Sequence, residues 1–152
     1  MEEINSIDDQ LQRAFEGNAW HGPSMREVLA DIAAERAAAK PISEAHSIWE
    51  IVLHVTAWQV GVRRRLEGES VELSPNEDWP PVTDTSAAAW RQALAALERT
   101  HTELRRTVSG LADSRLQQKV AGKDHSVYVM LQGVIQHNLY HAGQMAVLKK
   151  GS

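Results

Sequence analysis

The stretch SVYVMLQGVIQHNLYHAGQMAVLK, residues 126–149, decides the fold of this protein. Its apolar residues recur every three or four positions, which is the spacing of an amphipathic helix. Within it, His137 and His141 stand four positions apart, so their side chains lie on one face about one turn from each other. On a helical wheel His141 falls inside the apolar stripe and His137 on its flank. The sequence therefore predicts a long core helix that carries two imidazoles toward the protein interior.

Three other stretches have the same helical spacing. The first covers residues 4–15, and the second runs from Ser43 to about Gly68. The third begins after a cap at Thr83 or Asp84 and stops near Gly110, because a glycine often ends a helix. With the helix of residues 126–149, these give four long amphipathic helices.

The segments between these helices are polar or rich in helix breakers. Ser24 can cap a short helix between the first and second long helices. No alternating stretch is long enough to argue for a sheet. We therefore predict an all-α fold, a four-helix bundle with one short extra helix. The connection of residues 68–84 is long enough to run the length of the bundle, which permits the second and third long helices to lie parallel.

Composition sets further limits on the function. A chain of 152 residues with a formal net charge of -4 fits one domain, residues 1–152. Its densest basic run, Arg63–Arg65, is too short for a nucleic-acid surface, and no apolar run is long enough to span a membrane. The acidic N-terminus does not look like a signal peptide, so we expect a cytoplasmic protein. The absence of cysteine excludes disulfides, thiolate metal sites and a cysteine nucleophile.

The pair His137 and His141 has the spacing of a helical metal clamp. The zinc-protease motif would need glutamate at position 138, where this chain has Asn138, so that class is excluded. His54, on the flank of the second helix's apolar stripe, is the best third ligand. Nitrogen ligands suit zinc, nickel, iron or copper better than magnesium or calcium. Three histidines would leave one coordination position open for a water or a thiolate.

Several further residues are candidates for a pocket or for contacts to the ligands, and some of them also have a purely structural interpretation. Trp20 and His21 precede a fixed bend and could line the pocket mouth or plug a capping loop. Glu50 could orient a ligand or lie at the surface. His101 could be a ligand, a contact to one, or unrelated to the site. The full set of neighbours is Trp20, His21, Glu50, Trp58, His101, Asn138 and Gln144.

On these residues the chain resembles the DinB/YfiT-like superfamily of metalloenzymes. The resemblance covers most of the chain and is carried by the following segments: WHGPS at 20–24, AHSIWEIVLHVTAW at 45–58, RLEG at 65–68, DWP at 78–80 and GVIQHNLYHAGQMAVLKK at 133–150. It implies a four-helix bundle of up-down-down-up order. It also implies that His54, His137 and His141 hold a divalent transition metal, with zinc or nickel expected first and iron as a further candidate.

The resemblance implies chemistry and partners as well. Such proteins act as metal-dependent hydrolases or as S-transferases that use a low-molecular-weight thiol, and many are homodimers. Neither the resemblance nor the residues imply binding of nucleic acid. Two alternatives stay open: a non-catalytic binding or stress-response module with a structural metal, and a bundle without metal whose histidines are satisfied by each other and by water.

Overall fold

The computed structural model describes residues 2–151, and within that range the regular secondary structure is all helical apart from one isolated β-bridge between Lys119 and Ser126. This confirms the predicted all-α class and its four long helices. The long helices are α1 (Glu3–Phe15), α4 (Ile48–Leu66), α6 (Ala87–Ser109) and α7 (Val127–Lys150). The short ones are α2 (Met25–Leu29), α3 (Ala34–Ala38) and α5 (Pro75–Asp78), and a 3-10 helix covers Asp113–Gln117.

The number of short helices differs from the prediction. Two helices, α2 and α3, lie where one was expected, because Asp31 adopts a left-handed backbone with φ of 63° and breaks the segment. Ser24 caps α2 as predicted, by accepting a hydrogen bond from the backbone N–H of Glu27. The third short helix, α5, lies inside the connection between α4 and α6. It brings its own last residue, Asp78, toward α4.

Two helix starts also differ from the prediction. Helix α4 begins at Ile48 rather than near Ser43, because Ser47 and Glu50 form a reciprocal capping box. Helix α6 is capped by Ser86 rather than by Thr83 or Asp84. The carboxylate of Asp84 instead accepts a hydrogen bond from the backbone N–H of Ser86. The predicted start of α7 near Ser126, which caps the helix, and the predicted end of α6 at Gly110 are confirmed.

Contacts between the long helices give their relative directions. Trp49 packs on Trp90 with ring centroids 5.1 Å apart, and the Thr100 hydroxyl donates to Gln59 further along both helices. Helices α4 and α6 therefore run the same way. The backbone N–H of Ile4, at the start of α1, donates to Asp113, which follows α6. Helix α1 thus runs against α6.

The buried apolar residues divide into two clusters along the helices. On α4, the residues up to Val55 belong to one cluster, and Val62 and Leu66 to the other. On α7, the buried apolar residues between positions 127 and 135 belong to the second cluster, and Ala142, Met145 and Leu148 belong to the first. Between them lie most of the buried polar side chains, namely His54, Gln59, Thr100, His101, Asn138 and His141. Within residues 2–151, no helix combines the length and apolar character needed to cross a membrane.

Candidate metal centre

The structure brings the three predicted histidines together across α4 and α7. The Nε2 atom of His137 lies 3.0 Å from Nε2 of His54 and 3.1 Å from Nε2 of His141. Nitrogen ligands around a tetrahedral metal with bonds of about 2.0–2.1 Å are roughly 3.3 Å apart, so this spacing is close to what a metal needs. Among residues 2–151, this is the one group of three or more histidine or acidic side chains near enough to share an ion.

His54 is held in place by the connection between α4 and α6. Its Nδ1 donates to the backbone carbonyl of Asp78 over 2.6 Å. Trp79 stacks on the His54 ring at 3.7 Å between centroids and 5° between planes, and on its other side stacks on His46 at 3.6 Å. Because Nδ1 must carry the proton in a bond to a carbonyl, Nε2 of His54 presents a lone pair. That lone pair points to the other two imidazoles.

His141 has a comparable anchor on its own helix. Its Nδ1 lies 2.7 Å from Oε1 of Gln144, less than one turn further along α7. With the amide oxygen in that position, Nδ1 of His141 is the donor and its Nε2 also presents a lone pair. A hydrogen bond to the second ring nitrogen is the usual way in which proteins orient a metal-binding histidine. Gln144, one of the predicted neighbours of the site, thus contacts His141 directly.

A count of protons tests whether these residues fit a metal. Two lone pairs, on His54 and His141, face Nε2 of His137 from two sides. A neutral His137 can offer at most one N–H there, so at least one close nitrogen pair has no proton between its atoms. Buried polar atoms are rarely left without a partner. A cation bound by all three nitrogens would satisfy them, and the donor set fits one.

Burial keeps these imidazoles neutral. Burial, together with the nearby His141 and His54, lowers the pKa of His137 to about 4. Burial also lowers the pKa of His54, although the Asp78 carbonyl and carboxylate act in the opposite direction. The same holds for His141, where burial outweighs the bond to Gln144. Neutral rings near pH 7 are the form that binds a metal.

Two cavities lie beside the histidine cluster. The first, of about 420 Å³, is bordered by all three imidazoles and is otherwise lined by Trp58, Val62, Arg65, Asp78, Trp79, Met130, Gly133, Val134 and Tyr140. The second, of about 620 Å³, reaches His141 from the side of His46 and Ile42. Trp79, Tyr140 and His141 border both cavities. A small molecule in the first cavity would therefore lie directly against the histidines.

Of the predicted neighbours Trp58 and Glu50, only Trp58 lies at the first cavity. Trp58 lines the first cavity, and its Nε1 donates to the Asp78 carboxylate over 2.7 Å. Glu50 points to the helix start instead, where it completes the capping box and accepts from His46. Burial alone would raise the pKa of Glu50, but hydrogen bonds from His46, Ser47 and Lys40 lower it to about 2. Glu50 thus caps the start of α4, a role that differs from both the ligand contact and the plain surface position considered from the sequence.

The other predicted neighbours lie away from the first cavity. Trp20 is fully exposed, and with His21 it lines a small separate cavity near Leu139. The expectation that they form the mouth of the pocket is therefore not met by this structure. His101 is buried against Phe15 and Glu16, on the side of α6 that faces α1. Asn138 is buried, and its Nδ2 has no hydrogen-bond partner among residues 2–151.

Three residues of the site were not singled out from the sequence. Asp78 and Trp79 were noted only as part of the DWP segment, and Arg65 only as part of RLEG and of the basic run Arg63–Arg65. Asp78 contacts both His54 and Trp58, while Trp79 stacks on His54. The available signal was an Asp–Trp pair next to two prolines within a polar connection. Its contact with α4 depends on how the connection folds back, which spacing does not reveal.

Comparison with known proteins adds one finding. A family model described as the DinB superfamily matches residues 8–145, which is most of the chain and includes all three histidines. No curated protein and no solved structure gives a significant match.

Proposed function

This chain belongs to the DinB superfamily, and we propose that it is a metal-dependent enzyme whose metal is held by His54, His137 and His141. The observation that carries the proposal is the convergence of three Nε2 atoms at 3.0 and 3.1 Å beside a cavity of about 420 Å³. Close packing alone does not account for this arrangement, because three imidazoles placed this way without a cation have nitrogen lone pairs that face each other inside the protein. The metal is a divalent transition ion, with zinc or nickel expected and iron also compatible with the ligands.

We further propose that the four long helices form a bundle of up-down-down-up order. The parallel course of α4 and α6 supports it, as does the antiparallel course of α1 and α6. So does the division of the apolar clusters, which joins the first half of α4 to the end of α7 and the end of α4 to the first half of α7. This order places one ligand on α4 and two on α7. It also returns the connection between α4 and α6 to the site, where Asp78 contacts His54.

The proposed chemistry is hydrolysis or transfer of a low-molecular-weight thiol to a small electrophile. When bound, the metal would supply the acidification of a water or a thiol at its open coordination position. The protein's own contribution is orientation: the Asp78 carbonyl fixes His54 and Gln144 fixes His141. Trp58, Val62, Met130 and Val134 give the cavity an apolar wall that limits water near the reacting atoms.

A structural metal without catalysis is the second candidate. The depth of the cluster favours it, since His54 and His141 are only 5% and 4% exposed and lie between the two apolar clusters. The substitution His54→Ala separates the two functions. A structural metal predicts a large loss of folding stability together with metal loss. A catalytic metal on a preformed bundle predicts metal loss with most of the stability kept, measured by urea unfolding.

The reaction is tested with protein purified without a histidine tag and loaded with zinc or nickel. One panel combines low-molecular-weight thiols with electrophiles, and a second contains simple esters and amides. We expect turnover in one panel that disappears in His137→Ala and persists in His21→Ala, which changes a histidine outside the site. Equal rates in the wild type and His137→Ala would contradict the proposal.

A homodimer remains a proposal. Val129, Tyr140 and Val147 are large exposed apolar side chains on α7, and such a face supports association of two copies. Analytical ultracentrifugation of the wild type and of Val147→Lys tests it. A dimer through this face would dissociate in the variant, and a monomeric wild type would contradict the proposal.

A further inference from the structure

Arg65 is a buried cation in the wall of the cavity beside the histidines. It is 8% exposed and lines the same cavity as His54, His137 and His141. Its Nε and Nη2 donate to the backbone carbonyl of Val71 over 3.3 and 2.8 Å. Its guanidinium carbon lies 5.3 Å from the ring centroid of Trp58. These contacts hold the side chain at the cavity in one orientation.

Among residues 2–151, Arg65 has no carboxylate at ion-pair distance, and the exposed Glu72 carboxylate interacts with it only from further away. Among residues 2–151, each of its sequence neighbours Arg63 and Arg64 has a carboxylate within 4.0 Å, whereas Arg65 has none. A buried charge is costly unless a partner compensates it. A carbonyl oxygen and an aromatic face compensate part of this cost. The remainder points to an anion that reaches the cavity from outside.

The geometry of the guanidinium shows which part of it is available. The bonds to Val71 use Nε and one N–H of Nη2, along one edge of the fork. An arginine has five N–H donors, so both donors of Nη1 and the second donor of Nη2 are not used by these bonds. The edge formed by Nη1 and Nη2 presents two parallel N–H groups, which match the two oxygens of a carboxylate.

The other lining residues limit how such a ligand lies. Trp58 connects the two ends of the cavity, with its ring 6.2 Å from that of His137 and 5.3 Å from the Arg65 guanidinium carbon. Val62 and Met130 offer apolar surface, and Gly133 leaves open space because nothing lies within 4 Å of where its Cβ would be. Asp78 is the lining carboxylate, and it accepts from Trp58, so a negative group is favoured near Arg65 and disfavoured near Asp78.

We infer that this cavity binds a small molecule with an apolar body and a carboxylate, and that Arg65 holds the carboxylate while the opposite end of the molecule lies at the histidines. The inference rests on the proposed function in taking the histidine end as the reacting end. It deepens that function by naming the substrate class as small organic carboxylates. Arg65 is then the residue that selects the substrate.

The test compares a carboxylate with its neutral isostere in metal-free protein, so that the probe cannot bind through a metal. The probes are 3-phenylpropanoate and 3-phenylpropanamide, followed by the indole N–H resonance of Trp58 in 15N-labelled protein, which Trp58→Phe assigns. We expect the carboxylate to bind at least about tenfold more tightly than the amide. The preference should disappear in Arg65→Met and persist in Arg64→Met, whose side chain is half-buried and paired with Glu69.

Each outcome has a defined meaning. Equal binding of the two probes by the wild type, or an unchanged preference in Arg65→Met, overturns the inference. If Arg65→Met does not fold, the wild-type comparison still decides, and Arg65→Lys should show a reduced preference because lysine lacks the fork. Failure of the metal proposal is separate: it would appear as absence of zinc binding in protein that still prefers the carboxylate.

Discussion

His101, His54 and His141 are buried and His137 is half-buried, yet the ring nitrogens of His101 and of the other three face different chemistry. Nε2 of His101 lies 3.1 Å from the Glu16 carboxylate, and its ring stacks on Phe15 at 3.9 Å. The hydrogen-bond partners of Nε2 of His137 are instead two other imidazole nitrogens, at 3.0 and 3.1 Å. His101 can donate its proton to Glu16 and needs nothing more at that atom. The atom opposite Nε2 is therefore what separates His101 from the three histidines that we propose as metal ligands.

The largest expected effect is on metal binding. Because three nitrogens are needed to hold the ion, His137→Ala should lose stoichiometric zinc binding in calorimetric titration. His101→Ala should bind one equivalent as the wild type does, since His101 bonds to Glu16 instead. Zinc binding that is lost in His101→Ala and kept in His137→Ala would reverse the roles assigned to the two regions.

The next largest effect is on the free energy of unfolding of the metal-free protein, which should depend on pH. Burial lowers the pKa of His137 from 6.5 to about 4, so the folded state binds fewer protons than the unfolded state between these values. The free energy of unfolding therefore has its full value above pH 6.5 and falls as the pH drops toward about 4. The loss from this residue is on the order of 3 kcal/mol. Urea unfolding at several pH values measures it.

His137→Gln provides the matched control for that measurement. Removing the titrating group should flatten the slope between pH 6.5 and 4 without removing the contributions of the other groups. Burial also lowers the pKa of His101, although the nearby Glu16 acts in the opposite direction, so His101 adds to the same slope. A slope identical in the wild type and His137→Gln would show that His137 is not the buried neutral base described here.

A smaller effect concerns the surroundings of His101. Arg105 pairs with Asp8 over 2.8 Å and with Glu16 over 2.9 Å, which ties α6 to α1. Arg105→Met leaves both carboxylates without this cation, so the free energy of unfolding should fall by about 2 kcal/mol. Arg106→Met, at an exposed position, should change it by less than about 0.5 kcal/mol. Zinc affinity should stay unchanged in both variants.

The smallest expected effect is at Gln144. Gln144→Ala removes the hydrogen-bond partner of His141 Nδ1 and frees the ring to rotate, so zinc affinity should fall roughly tenfold. Gln136→Ala, at an exposed position on the same helix, should bind zinc as the wild type does. Competition with a chromophoric chelator gives both affinities. Equal affinities would mean that the contact with Gln144 does not orient His141.

The sequence predicts the helices well because a buried stripe repeats with the helical period. It also predicts that the three histidines lie close together, because two of them share a helix face and His54 flanks the apolar stripe of another helix. The predicted start of α4 was wrong, although the sequence holds a local signal for the true start. Ser47 and Glu50 have the spacing of a capping box. A capping box satisfies two backbone N–H donors at the helix start, whereas a lone serine such as Ser43 satisfies only one, so the helix begins after Ser47.

The remaining parts of the site depend on tertiary contacts. Whether His101 meets a carboxylate or a metal depends on which helix lies opposite, and that is α1 with Glu16. Asp78 reaches His54 only because α5 folds back from the connection onto α4. Arg65 looks like one of three arginines at a helix end until burial distinguishes it from Arg63 and Arg64. None of these relations has a fixed spacing along the chain.

The most direct test of the central claim is a crystal structure of the tag-free protein with zinc, with data collected on both sides of the zinc absorption edge. We predict one anomalous peak bonded to Nε2 of His54, His137 and His141 at about 2.0–2.1 Å, and no peak at His101. A peak elsewhere, or fully loaded crystals whose three imidazoles still face one another without an ion, would contradict the account.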